Sequence, residues 1–237
     1  MVAGRHILGA QAARAKNTGR LGPGGTPIAF FLSIMDAIEA REQFAHSRAR
    51  NVALYSVITA RSLLLPAVEV NAVRIGALLS NIGMLNVPER ILHKTEKLTA
   101  EEQEAVRRHP EHGVEILAGV PELKNILPMV RYHHEHYNGT GYPGGLRGEE
   151  IPLGARIIRI AETYDALLSE RPYRPSYSSA KALEILAVGS GEEFDPRIVH
   201  AFQVCMRRGP LKDDVLDRWE EERASARTRR NVLPTSR

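Results

Sequence analysis

The chain has 237 residues, 43% of them hydrophobic, 25% charged and 5% aromatic, with a formal net charge of +4. This is ordinary composition for one well-buried globular domain; its single cysteine, Cys205, excludes an internal disulfide framework and fits a reducing cytoplasm. With no run of about eighteen apolar residues, no membrane span is expected; the mild basic excess implies weak attraction to nucleotides or acidic partners, not specific nucleic-acid binding.

Residues 1–27 contain no Asp or Glu and end in Gly22-Pro23-Gly24-Gly25-Thr26-Pro27, which reads as a disordered leader. From Ile28 the pattern is helical, carried by Phe31, Ile34, Met35 and Ile38 and later by Val52, Tyr55, Val57 and Ile58, until Pro66 breaks it. Val70 to Leu79 reads as a buried helix, with Gly83 just beyond as its C-terminal cap. Thr99-Ala100-Glu101-Glu102 is a capping box that starts a helix running to His109, where Pro110 interrupts it. Two further helices pass through Val114 and from Leu123 to His134.

A helix spans Ile151 to Leu168, with Ile157, Ile160, Ala161, Tyr164 and Leu168 on one side. A short helix begins near Ser178 or Ser179, and another at Asp195-Pro196, where Asp is the N-cap and Pro the first helical residue. Residues 208–237 lose apolar periodicity and form a charged, partly helical tail. No alternating strand pattern exceeds a few residues, so the expected fold is all-α, with one domain over 28–207.

The chemistry concentrates between 133 and 174. The paired imidazoles His133 and His134 are typical ligands for a divalent transition metal. The turn Gly139-Thr140-Gly141-Tyr142-Pro143-Gly144-Gly145 can bring main-chain N–H groups and Tyr142 close to a ligand. Glu162 and Asp165 lie one helical turn apart, and the stretch closes on Arg171-Pro172-Tyr173-Arg174. Imidazoles, carboxylates and arginines so close together suggest metal-assisted phosphate chemistry.

The ordered pattern from His133-His134-Glu135 through Gly141-Tyr142-Pro143, Ala155-Arg156-Ile157-Ile158 and Tyr164-Asp165-Ala166-Leu167 to Arg171-Pro172-Tyr173-Arg174 resembles the HD-GYP family. Its members are bacterial cyclic di-GMP hydrolases, a branch of the all-α HD phosphohydrolases. The resemblance implies a site with two or three metals that share a bridging carboxylate. The segment Leu78-Leu79-Ser80-Asn81-Ile82-Gly83-Met84-Leu85-Asn86-Val87-Pro88 is similar to the family's LLHDIGKxxVP, but Ser80, Asn81 and Met84 replace its His, Asp and Lys. Without gaps, the family's first histidine falls on Arg48, and nearby His46 reads as a surface residue.

The resemblance leaves His109, His133 and His134 as metal ligands, with Glu162 where Asp is usual. Tyr142, Gly141, Arg171 and Arg174 are implied on the nucleotide side. Asn138 and His136 depart from the usual Asp and Arg of the loop, and Asp165 reads as structural. A neutral amide at Asn81 and a fixed positive charge at Arg48 disfavour a dinuclear centre. Three histidines still suit one open-site ion such as Fe, Mn or Zn; the alternative is a metal-free pocket of hydrogen-bonded side chains.

The expectation is therefore a degenerate module that binds cyclic di-GMP without hydrolysing it. One alternative is a phosphodiesterase using a residual mononuclear site. Another is a scaffold that pairs with a diguanylate cyclase domain or other signalling protein.

Overall fold

The computed structural model describes residues 48–94, 96–170 and 175–208. The expected leader, the helical pattern before Arg48, the Arg171–Arg174 cluster and the tail beyond Arg208 lie outside the described residues. Nine α-helices occur within them: α1 Arg48–Ser62, α2 Ala67–Leu79, α3 Glu89–Leu92, α4 Ala100–Arg107, α5 His109–Leu117, α6 Leu127–Tyr132, α7 Leu153–Leu168, α8 Ser179–Val188 and α9 Pro196–Arg208. Short 3-10 turns cover Ile82–Asn86, Pro121–Leu123 and Gly148–Glu150. Among the described residues the only β-type pairing is an isolated bridge between Ser190 and Phe194. The fold is all-α, as expected.

Start signals in the sequence act as they should. The Thr99 side chain accepts from the Glu102 backbone and Glu102 answers at the Thr99 N–H, closing the capping box. Ser178 caps α8 through the Lys181 N–H. Asp195 accepts from the Arg197 N–H at 2.9 Å, and its other oxygen takes a 2.6 Å charge-assisted bond from Arg156, tying α9 to α7.

Two buried clusters organise the helices. Val52, Val57, Val73, Leu78, Ile157, Ile160 and Phe202 belong to the larger one, which joins α1, α2, α7, α8 and α9. At its centre Tyr55, Tyr164 and Phe202 pack edge to face, with ring centroids 5.0–6.2 Å apart. The smaller cluster, with Leu79, Ile82, Leu117, Ile126 and Val130, sits between α2, α5 and α6. Residues that end α2 and α6, start α5 and occupy mid-α7 thus meet at the seam between the clusters.

Two expectations need correction. The Leu123–His134 helix is divided: a 3-10 turn precedes α6, because Pro128, which has no N–H to donate, sits in the first turn of a new helix. Gly83 is not a C-terminal cap but lies inside the 3-10 turn after α2. A Cβ there would stand 1.9 Å from the His109 carbonyl oxygen, so glycine is needed for close backbone approach rather than for a left-handed turn. Ala67–Asn86, though interrupted by Glu69 and Arg74, is long and apolar enough, by length and composition alone, to cross a membrane. Its apolarity has another cause: 56% of that window is buried within the protein, where α2 serves both clusters.

Gly83→Ala should cost roughly 2–3 kcal/mol or more, because the atoms it strikes are backbone and cannot rotate away. Urea unfolding of the variant against the parent chain measures this, and a loss below 0.5 kcal/mol on that scale, roughly that of a neutral surface change, would contradict the backbone contact.

Candidate functional site

His109 opens α5, and His133 and His134 directly follow α6. The helix geometry fixes two of the rings. His109 Nδ1 lies 2.8 Å from the Val106 carbonyl and His133 Nδ1 lies 2.8 Å from the Val130 carbonyl, in each case three residues back. A carbonyl only accepts, so each Nδ1 carries the proton and each Nε2 presents a lone pair. Those two Nε2 atoms face each other at 3.2 Å. Ligand atoms of His109, His133 and His134 all lie within 4.8 Å of one another.

Burial, followed by the proximity of the other imidazole, brings His109 down to about 4. Burial likewise lowers His133 and pushes His134 well down. Neutral rings with converging lone pairs are relieved by a cation or a proton donor among them. Ring N–H groups held by backbone carbonyls are the usual support of metal-ligating histidines. The donor set therefore fits one divalent transition metal in an open three-histidine site.

Glu162 comes from the middle of α7, buried, with Oε2 3.9 Å from His133 Nε2. Its other oxygen accepts from Asn81 Nδ2 at 2.7 Å and from Ser80 Oγ at 3.1 Å. Burial by itself would raise this carboxyl, but His133, Arg48, His109 and the Asn81 bond together bring it below the ordinary value. For the His133–Glu162 pair, the deep burial of the ring fits a neutral imidazole beside an ionised carboxylate. Ser80 and Asn81 thus both donate to a single Glu162 oxygen.

Arg48 is close enough to His109, His133, His134 and Glu162 to act on their charge states. Its Nε lies 3.9 Å from Asp165, whose other oxygen accepts from Asn51 at 3.1 Å, so Asp165 ties α7 to α1.

The glycine loop folds over the triad. Gly144 donates its N–H to buried Glu135 at 2.6 Å, and Tyr142 donates its N–H to the His134 carbonyl at 3.2 Å. A Cβ on Gly141 would stand 2.2 Å from the His136 nitrogen, which excludes any larger residue. The Tyr142 ring stacks on His134 at 5.0 Å and 17°, and burial pushes its hydroxyl up to about 12.

The departures at 136 and 138 also have physical roles. Arg159 donates to His136 at 3.2 Å, His136 meets Thr140 at 3.0 Å, Thr140 donates to Asn138 at 2.7 Å, and Asn138 Nδ2 donates to Glu192 at 2.7 Å. An aspartate at 138 would face Glu192 with like charge, so the amide suits this partner. Glu135, Arg159 and Asn51 were assigned no role by the sequence. Only Glu135, adjacent to the histidine pair, carried any signal.

The HD domain family profile matches residues 33–198, and the chain belongs to that family. Within it, the relatives and the glycine loop place the chain in the HD-GYP branch. It is 38% identical over 167 residues to the cyclic di-GMP phosphodiesterase response regulator RpfG of Xanthomonas campestris, covering 70% of this chain and 44% of that protein. It is 35% identical over 166 residues to a cyclic di-GMP phosphodiesterase of Pseudomonas aeruginosa, covering 70% and 40%. The chain thus spans under half the length of these relatives. Among solved structures, a cyclic GMP-AMP-specific phosphodiesterase of V. cholerae superposes with a TM-score of 0.62 at 18% identity, over 80% of this chain and 52% of that one. That likeness supports the fold.

The depressed imidazoles predict how metal-stripped protein responds to acid. Folded His109, His133 and His134 resist the proton that the unfolded chain accepts near 6.5. Their contribution is therefore complete above that pH and is lost as pH falls towards about 4, the His109 value. Each histidine engaged costs about 1.4 kcal/mol per pH unit. Melting temperature should fall steeply from pH 7 to pH 5, and Zn²⁺ or Mn²⁺ at pH 7.5 should raise it; a flat profile in both experiments would contradict a neutral triad.

Proposed function

We propose that this domain binds one divalent transition metal on His109, His133 and His134 and hydrolyses a cyclic dinucleotide, with cyclic di-GMP as first candidate. The supporting observation is the pair of Nε2 lone pairs converging at 3.2 Å from rings whose other nitrogens are already committed. Relatives sharing 35–38% identity bear the name cyclic di-GMP phosphodiesterase. When bound, such an ion supplies Lewis acidity towards a phosphoryl oxygen.

The chain's own residues do the rest. Val106 and Val130 hold the rings in the ligating tautomer. Glu162 balances positive charge from below, and Tyr142 offers a ring at the mouth. On this reading Arg171 and Arg174, which lie outside the described residues, grip phosphate as the family resemblance implies.

A second reading, binding without turnover, is favoured by one observation. Ser80 and Asn81 together engage the same Glu162 oxygen. No anionic bridge for a second ion is then present at these positions.

Both readings meet in one experiment: metal analysis, calorimetric titration and chromatography of cyclic di-GMP incubated with the same purified sample. Hydrolysis predicts near one metal per chain, a linear dinucleotide product, and loss of product on chelation. Binding with no product establishes the second reading, and no binding at tens of micromolar sinks both. The double change Ser80→His with Asn81→Asp should raise metal content and increase turnover tenfold or more, about 1.4 kcal/mol of barrier per decade. Unchanged metal content would show that the pocket no longer accepts a second ion.

A further inference from the structure

Arg107, the last residue of α4, is exposed beside Tyr142 and has no part in the family pattern quoted above. Its guanidinium carbon sits over the Tyr142 ring, 5.3 Å from the centroid, while the same ring stacks on His134. Tyr142 is therefore in contact with both an imidazole of the triad and a guanidinium. Arg107 is exposed, and among the described residues no ion pair or side-chain hydrogen bond engages it. Its neighbour Arg108, equally exposed, is by contrast directed away to Glu104 at 3.8 Å. The turn that places Arg107 is well determined: Val106 supplies the carbonyl that orients His109, two residues beyond.

An aromatic ring with an uncommitted guanidinium at a phosphodiester-handling pocket has the chemistry of a base-reading device. Bases stack on tyrosine faces and on guanidinium planes. Arginine also matches the O6 and N7 acceptors of guanine with two parallel N–H bonds, which adenine, bearing an amino group at position 6, does not offer. Two π-faces in contact lie about 3.5 Å apart, so a base cannot enter while Arg107 covers Tyr142. The side chain has to swing aside, and its long flexible stem, anchored only at the end of α4, permits that.

We propose that Arg107 and Tyr142 form a guanine-selective clamp. The purine displaces Arg107 from the Tyr142 face and stacks there, and Arg107 moves to the purine edge to bind O6 and N7. This deepens the reading of a cyclic-dinucleotide site and rests on it. It makes Arg107 a specificity-determining residue that sorts guanine-containing cyclic dinucleotides from cyclic di-AMP.

The test is calorimetric titration of the full chain with cyclic di-GMP and with cyclic di-AMP. The parent chain should prefer cyclic di-GMP. Arg107→Ala should weaken cyclic di-GMP about tenfold or more and leave cyclic di-AMP within about twofold, with an unchanged melting temperature. Arg107→Lys, which keeps the charge but loses the fork, should behave like the alanine variant. Arg108→Ala should alter neither affinity.

Equal losses for both ligands, or full rescue by lysine, would reduce Arg107 to a general positive charge and overturn the clamp. So would an Arg107→Ala chain that binds cyclic di-GMP as before; in that case the cyclic-dinucleotide reading itself survives. A parent chain that binds neither ligand would remove the underlying reading and the clamp with it.

Discussion

Two short hydrogen bonds fix the character of this protein. In each, an imidazole N–H reaches a carbonyl three residues earlier, at His109 to Val106 and His133 to Val130, and the bond removes the ring's choice of tautomer. The outward nitrogens then converge as lone pairs in a buried place, an arrangement suited to a cation. Both bonds depend on where helices begin and end: α5 starts at His109, and α6 stops just before His133. The two hydrophobic clusters hold those ends together. Backbone approach at Gly83 holds the turn after α2 directly against His109.

Against that intact half stands an altered one. Ser80 and Asn81 are neutral donors, and both address one Glu162 oxygen. A buried carboxylate needs such partners once no metal takes them, because a buried charge left unpaired is costly. Ser80 and Asn81 thus leave Glu162 in a satisfied local arrangement. The Nε2 atoms of His109 and His133, by contrast, face each other at 3.2 Å, with Glu162 Oε2 3.9 Å from His133.

Most of the fold was legible, because helix signals are local. The capping box at Thr99, Ser178 before α8 and Asp195-Pro196 before α9 each depend on residues within one turn. Gly83 was misread because its reason is tertiary: a carbonyl on another helix, 26 positions away in sequence, occupies the space of a side chain. The triad was legible as residue identities through the motif. Its tautomers, the capture of Glu162 by Asn81, and the approach of Arg48 to Asp165 were not, since each needs three-dimensional proximity. Arg107 escaped notice for a similar reason: an arginine at a helix end usually means only a favourable dipole and solvation.

The loop that carries Tyr142 is braced from two directions. Inside, Glu135 and the His134 carbonyl hold it; outside, the Tyr137 and Asn138 N–H groups donate to the carbonyls of Glu193 and Glu192 at 3.2 and 2.8 Å. The entropy of ordering this loop is therefore spent when the chain folds and is not charged again when a ligand arrives. In the proposed clamp, association then requires only that Arg107 step aside, so capture at the Tyr142 ring would be governed by encounter and rotamer exchange rather than by loop closure. The same bracing makes the turn at 192–193, remote in sequence from the histidines, part of what holds the Tyr142 loop in place.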